Sequence, residues 1–192
     1  MVACGALARE LLALTRGVPN LESAFLPSLL HNRPDGIPGA VRERVQAARA
    51  SGAYAEIFVA YADCGTGGLL DRVCEEEGVR RLEGAHCYEV YAGRAAFARL
   101  QDDEPGTFYL TDYLVQSFEG LIVRGLGLDR HPELLPVYFG NYRRLVYLAQ
   151  TDDADLLARA RGAADRLGLD FELRRTGYGE LETAILSLGD AA

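Results

Sequence analysis

The sequence of 192 residues contains no lysine, so all 20 of its basic residues are arginines. This absence excludes two classes of chemistry. A Schiff-base enzyme needs a lysine amine, and a P-loop nucleotide site needs the lysine of its GxxxxGK[ST] motif to contact the phosphates. Neither chemistry is open to this chain, whatever its fold.

The sequence also lacks long apolar runs and an excess of positive charge. No run of about 18 apolar residues occurs, and the apolar start carries Arg9 and Glu10 without a basic leader. We therefore expect a soluble cytoplasmic protein with neither a membrane span nor a signal peptide. The formal net charge of -8 would repel a phosphate backbone, so we do not expect nucleic acid as a partner.

The four cysteines form no CxxC pair, which removes the usual signals of a zinc ribbon and of a thioredoxin site. In a chain without a secretory signal the thiols should stay reduced, so a disulfide framework is not expected. Any site that the cysteines share must then be assembled by the fold from distant segments.

Strand-like apolar segments alternate with helical segments along the whole chain, which is typical of a parallel sheet covered by helices. The pattern predicts a single α/β domain over residues 1–192, with a mostly parallel sheet and helices on both faces, Rossmann-like or flavodoxin-like. The predicted strands lie within residues 1–5, 21–30, 55–61, 79–82, 106–110, 144–150 and 170–175. The predicted helices cover residues 6–16, 39–50, 69–77, 88–100 and 112–123, a segment from 131, one capped by Thr151 and ending near 168, and one from 179.

Three cysteines, Cys4, Cys64 and Cys87, each follow a predicted strand and precede a predicted helix. In an open α/β sheet, ligands bind beyond the carboxyl ends of the strands, so we expect these three thiols at one edge. A thiol just before a helix N-terminus should also have its thiolate form favoured. The positions predict a shared metal site, whereas Cys74 falls on the apolar face of a helix and is interpreted as core.

Other residues near these cysteines are candidates for the same site. His31 and His86 are alternative fourth metal ligands, with His31 favoured because its loop also follows a strand. Gly5 and Gly65 directly follow two of the cysteines and would let the backbone approach a bound group closely. Asp63 is a candidate catalytic base or a partner of a ligand, although an aspartate in such a turn is often a helix cap.

A further group of candidates follows the fifth and precedes the sixth predicted strand. Thr111 and Asp112 would lie at the carboxyl edge, where Asp112 is a second candidate catalytic residue and Thr111 a binding residue. Arg143, beside Arg144, could bind a carboxylate or phosphate. The alternative is that Thr111 and Asp112 only cap a helix and that the arginines face water.

Six segments in combination resemble the domain of unknown function 1638 family. They are residues 3–7 (ACGAL), 30–34 (LHNRP), 61–65 (YADCG), 86–88 (HCY), 105–112 (PGTFYLTD) and 141–144 (NYRR). The resemblance spans nearly the whole chain, with Ala62 standing where a glycine is expected. It implies no particular reaction, but it implies a setting among corrinoid-dependent methyl-transfer systems, with a corrinoid or methyltransferase protein as a partner.

Two classes of function stay open on this reading. As an enzyme, the protein would hold zinc with three thiolates, or with two thiolates and a histidine, and activate a substrate thiol for methyl transfer. Three cysteines would equally hold a [4Fe-4S] cluster whose open iron acts on a small molecule as a Lewis acid in a dehydration. As a binding protein, it would carry a metal, a cluster or a corrinoid to a partner without turnover.

Overall fold

The computed structural model describes residues 1–16 and 18–189, in which every strand pairing is parallel. The prediction of an α/β protein with parallel strands flanked by helices is confirmed. The strands are β1 (Val2–Cys4), β2 (Ala24–Leu26), β3 (Phe58–Ala60), β4 (Arg80–Arg81), β5 (Thr107–Thr111), β6 (Arg144–Ala149) and β7 (Asp170–Arg175).

Helices follow most of these strands. They are α1 (Ala8–Thr15), α2 (Gly36–Ala50), α3 (Leu69–Glu76), α4 (Cys87–Ala92), α5 (Arg94–Asp103), α6 (Asp112–Gln116), α7 (Leu135–Phe139), α8 (Ala154–Leu167) and α9 (Gly179–Gly189). Short 3-10 helices cover Gly5–Leu7, Ser28–Asn32 and Pro132–Leu134. No helix among the described residues is both long and apolar enough to cross a membrane.

Three helix predictions were wrong in detail. The continuous helix expected over 88–100 is divided by Gly93, whose φ of 79° and ψ of 139° are not helical. The helix after β5 is interrupted, since Glu119–Arg124 form a π-helix. The N-cap of α8 is Asp153 and not Thr151, because the Asp153 carboxylate accepts the first free N–H groups of that helix.

The chain divides into two compact units, each with its own sheet, where the sequence pattern predicts one sheet. Unit 1 contains Met1–Val90 and α9, and unit 2 contains Tyr91–Tyr178. Unit 1 holds a four-stranded sheet of order β2-β1-β3-β4, and unit 2 a three-stranded sheet of order β5-β6-β7. Whether residues 1–192 fold as one domain stays a prediction.

The sheet of unit 1 has the strand order of flavodoxin-like folds, in which the order reverses between β1 and β3. All residues of β1 and β3 are buried, as expected of parallel strands covered on both faces. The covering side chains are apolar and fully buried, and they include Leu11 of α1, Val41 of α2, Leu70 of α3 and Ile185 of α9. These helices hold the sheet rigid and leave its carboxyl edge to the loops.

In unit 2, β6 lies between β5 and β7, and its pairing with both strands extends along its length. Its side chains from Leu145 to Ala149 are all buried. Leu145, Tyr147 and Ala149 form one core with residues of α8, including Ala160 and Ala164. The small alanines allow α8 to pack closely on the sheet.

The turn after β1 packs tightly against β2. A Cβ atom added to Gly5 would lie 2.6 Å from the carbonyl oxygen of Leu26 and 3.2 Å from the amide nitrogen of Ser28. Real Cβ atoms do not approach backbone atoms that closely, so only glycine fits here. The close approach brings the start of the β1 loop beside the loop after β2.

We expect Gly5→Ala to destabilise the protein by about 1 to 3 kcal/mol, because the methyl group would push apart two backbone segments. Gly39→Ala is the matched control, since Gly39 lies within α2 and a Cβ there would meet no atom within 4 Å. That change should stabilise the protein by about 0.5 to 1 kcal/mol. Urea unfolding of both variants tests this expectation, and equal stability changes would contradict it.

Candidate functional site

A small cavity lies at the carboxyl edge of the unit 1 sheet, and three cysteine thiols line it. We call it the thiol cavity; its volume is about 20 Å³, and its lining includes Cys4, Cys64, Cys87, His31 and Tyr61. Cys4 ends β1 and Cys87 begins α4. The cavity adjoins the ends of β1 and β3, where the strand order reverses and ligands of open α/β sheets bind.

Backbone hydrogen bonds join the loop that carries Cys64 to the loop that precedes Cys87. The amide of Cys64 donates to the carbonyl of Ala85 at 2.8 Å, and the amide of Asp63 donates to that of Gly84 at 3.0 Å. The guanidinium of Arg81 donates to the same Gly84 carbonyl at 3.3 Å. The two loops are therefore held as one piece beside the cavity.

The backbone of Cys64 is in the left-handed region, with a φ of 51°. This conformation costs a residue with a side chain about 1 to 2 kcal/mol, whereas glycine adopts it freely. A cysteine that stands where glycine would fit more easily indicates that the thiol itself matters. The following Gly65, with a φ of 83°, completes the sharp turn, and a Cβ atom added there would lie 3.7 Å from the ring of Pro34.

His31 faces the thiol cavity in one defined tautomer. Its Nδ1 lies 2.9 Å from the carbonyl oxygen of Ser28, and because a carbonyl only accepts hydrogen bonds, Nδ1 must carry the proton. The other ring nitrogen, Nε2, lies 3.9 Å from Sγ of Cys4. The same sulfur accepts a hydrogen bond from the amide of Ala6 at 3.3 Å.

Burial keeps the three thiols protonated. It raises the pKa of Cys4 to about 11, and burial together with the neighbouring Cys4 and Asp63 raises that of Cys64 to about 12. Burial, followed by Cys64 and Cys4, raises the pKa of Cys87 well above its usual value. The expectation that these positions favour the thiolate is therefore wrong for the protein without metal, because desolvation outweighs the hydrogen bonds from backbone amides.

No three His, Cys, Asp or Glu side chains within residues 1–16 and 18–189 are arranged as a ready metal site. The three protonated thiols line one cavity, but they do not converge on one point as the ligands of a bound ion do. The predicted metal therefore stays a prediction. Cys74, by contrast, is buried on α3 with Leu70 and Val73, as expected of a core thiol.

Two other candidates near the cysteines have different surroundings. His86 is exposed and contacts the ring of Tyr88, with 6.1 Å between ring centroids. Asp63 accepts hydrogen bonds from the hydroxyl of Thr66 at 2.5 Å and from the amides of Gly67 and Gly68. Burial opposes ionisation of Asp63, but these hydrogen bonds prevail and its pKa is lowered. A carboxylate held in this way shapes the turn before α3.

The candidates Thr111, Asp112 and Arg143 belong to unit 2. Thr111 is the N-cap of α6, as one of the two interpretations predicted. Arg143 is largely exposed and lies 4.0 Å from a carboxylate oxygen of Glu104. These positions favour capping and solvent exposure over ligand binding.

Asp112 is fully buried at the carboxyl edge of the unit 2 sheet. Its carboxylate accepts hydrogen bonds from the hydroxyl of Tyr147 at 2.7 Å, the amide of Gln150 at 3.0 Å and the hydroxyl of Thr151 at 2.6 Å. Three donors satisfy much of the hydrogen-bonding capacity of the carboxylate. Asp112 thus ties the start of α6 to the end of β6.

Tyr61 is the residue of the thiol cavity that sequence reasoning missed. Its ring lies parallel to that of His31, with 6.3 Å between centroids and 14° between planes. The pattern indicated only a buried strand end. The available signal was a polar side chain at the end of an apolar strand, in the same segment as a candidate cysteine.

Comparison with known proteins gives one match. A family model described as "Protein of unknown function (DUF1638)" matches residues 25–185. No curated protein and no solved structure matches the chain.

The raised thiol pKa values predict that the metal-free protein loses stability at alkaline pH. The native thiols keep protons that thiols of the unfolded chain lose near pH 8.5. Their contribution is complete below that pH and is lost as the pH rises toward the pKa of Cys4, about 11. The free energy of unfolding, measured with urea in the presence of a chelator, should fall from about pH 9 to 11. A variant with alanine at Cys4, Cys64 and Cys87 should show a smaller fall, and parallel curves would contradict the prediction.

Proposed function

We propose that this chain, which belongs to the family described as Protein of unknown function (DUF1638), binds one zinc ion in the thiol cavity. The family description names no reaction, so the proposal rests on the site itself. The ligands are the thiolates of Cys4, Cys64 and Cys87 and Nε2 of His31. The observation that carries this proposal is the orientation of His31 toward Cys4 in a cavity lined by three thiols.

The geometry of His31 supports a role as ligand in two respects. A histidine that binds a metal usually donates its other ring N–H to a carbonyl or carboxylate, as Nδ1 does here to Ser28. In a tetrahedral zinc site, sulfur and nitrogen ligands lie about 3.5 Å apart, given bonds of about 2.3 and 2.0 Å. The observed separation of 3.9 Å between Nε2 and Sγ of Cys4 needs only a small adjustment.

The electrostatics of the thiols also favour a cation. Each thiol pKa is raised first by burial, and those of Cys64 and Cys87 also by neighbouring cysteines. A divalent ion among three thiolates would offset both effects, because its charge replaces the protons. Binding requires the thiols to release protons and to turn toward a common point.

The size of the cavity favours a single ion over a cluster. Its volume of about 20 Å³ is sufficient for about one water-sized sphere. A [4Fe-4S] cluster contains four irons and four sulfides and needs several times that room. Thiolate with imidazole is also a common ligand set for zinc.

Such a site can serve an enzyme. When bound, zinc acts as a Lewis acid that lowers the pKa of a thiol in a coordination position left open to it. His31 is the only neutral ligand of the set, and it lies on the short, partly exposed 3-10 helix Ser28–Asn32. Movement of this helix would make room for a small substrate thiol, which suits methyl transfer with a corrinoid or methyltransferase protein as the partner.

Single replacement by serine should separate the three ligand cysteines from Cys74. Loss of Cys4, Cys64 or Cys87 should each remove most of the bound zinc, because a hydroxyl is a poor ligand for a thiophilic metal. Cys74→Ser should keep the zinc and cost about 1 to 3 kcal/mol of stability for a buried hydroxyl. Elemental analysis of anaerobically purified protein measures zinc and iron. Stoichiometric zinc in all three single variants would refute the proposal. Bound iron together with visible absorption would also refute it and would indicate an iron-sulfur cluster at this site.

The two histidines provide a second matched comparison. His31→Gln should lower the zinc affinity by about 100-fold or more, since a direct ligand should contribute at least as much as the outer partners of a metal site. His86→Gln should leave the affinity unchanged, because His86 is exposed and does not line the cavity. Competition with a chromophoric chelator measures both affinities. Equal affinities of the two variants would contradict the assignment of His31.

A further inference from the structure

The hydroxyl of Tyr61 is buried and makes no hydrogen bond of normal geometry among the described residues, although the thiol of Cys4 is close enough to interact with it. The side chain is 0% exposed, so water does not serve as a partner at the surface. Native proteins satisfy nearly all their buried polar groups, and an exception calls for an explanation. A tyrosine is also an unusual choice here if only packing matters, since phenylalanine would fill the same space without an unsatisfied polar atom.

Tyr61 directly follows β3, and its side chain lines the thiol cavity together with Cys4 and His31. The parallel packing of its ring against His31 limits how far the ring can turn. The thiol of Cys4 lies beside the Tyr61 hydroxyl in this cavity, so the hydroxyl has a sulfur atom to which it can donate.

The chemistry of sulfur explains what this donor could serve. A thiol is a weak hydrogen-bond acceptor, whereas a metal-bound thiolate accepts strong, charge-assisted hydrogen bonds. A zinc ion bound to Cys4 would therefore give the Tyr61 hydroxyl a strong acceptor inside the cavity that both residues line.

We propose that Tyr61 is a positioning residue that donates its hydroxyl proton in a hydrogen bond to the metal-bound thiolate of Cys4. This inference rests on the proposed zinc site. Sγ of Cys4 already accepts from the amide of Ala6, so Tyr61 supplies a second donor on the same sulfur. The two donors fix the direction of the Cys4 ligand and lower its electron density.

The test is Tyr61→Phe, which removes the donor and keeps the ring. Zinc affinity should fall about 10- to 100-fold, the usual effect of losing an outer partner of a metal ligand. In the cobalt-substituted protein, the sulfur-to-cobalt charge-transfer band should move to lower energy, because the thiolate loses a stabilising hydrogen bond. The stability of the metal-free protein should change little, because a thiol is only a weak hydrogen-bond acceptor for this hydroxyl.

Tyr147→Phe is the matched control. Its hydroxyl is buried and donates to Asp112 at 2.7 Å within unit 2, so this variant should be less stable while its zinc affinity and cobalt spectrum stay unchanged. If the parent protein binds zinc and Tyr61→Phe shows the parental affinity and spectrum, the inference is overturned and the zinc site stands. A parent protein that binds neither metal overturns both proposals.

Discussion

The position of β1 between β2 and β3 is the constraint on which the rest of the site depends. Its parallel pairing on both sides brings the carboxyl ends of three strands together. Cys4 ends β1, and the segments after β2 and β3 carry His31 and Cys64. The pairing of β3 with β4 adds the loop before Cys87. Residues that are far apart in the chain thus line one cavity without any local motif.

Burial gives this cavity its chemical character. Apolar side chains that line the cavity, including Leu7, Leu82 and Val90, surround the thiols, and desolvation raises the thiol pKa values. A site of this kind is poorly suited to a free reactive thiolate, and the cation that we propose would replace the thiol protons. The strained backbone of Cys64 and the unsatisfied hydroxyl of Tyr61 both lie at this cavity. Departures from ideal structure are expected where a protein functions.

Much of the site could be predicted from sequence because it depends on short-range patterns. Apolar runs followed by a glycine-rich turn and a helix located the strand ends, and hence Cys4 and Cys64. The functional interpretation of Asp63 and Thr111 was less informative, because the same residue types cap helices, and both make capping or turn contacts in the structure. Tyr61 was marked only by a polar side chain at the end of an apolar strand, and that signal does not tell which side chain lies beside a thiol.

The sequence by itself determined the α/β class, the strand and helix order and the family, because these follow from hydrophobic periodicity and local motifs. Only the tertiary structure decided that the strands form two sheets, that His31 rather than His86 faces the cysteines, and that the thiols are protonated. The physical reason is that strand pairing, burial and the pKa of a side chain depend on residues distant in the chain. No local pattern records those neighbours.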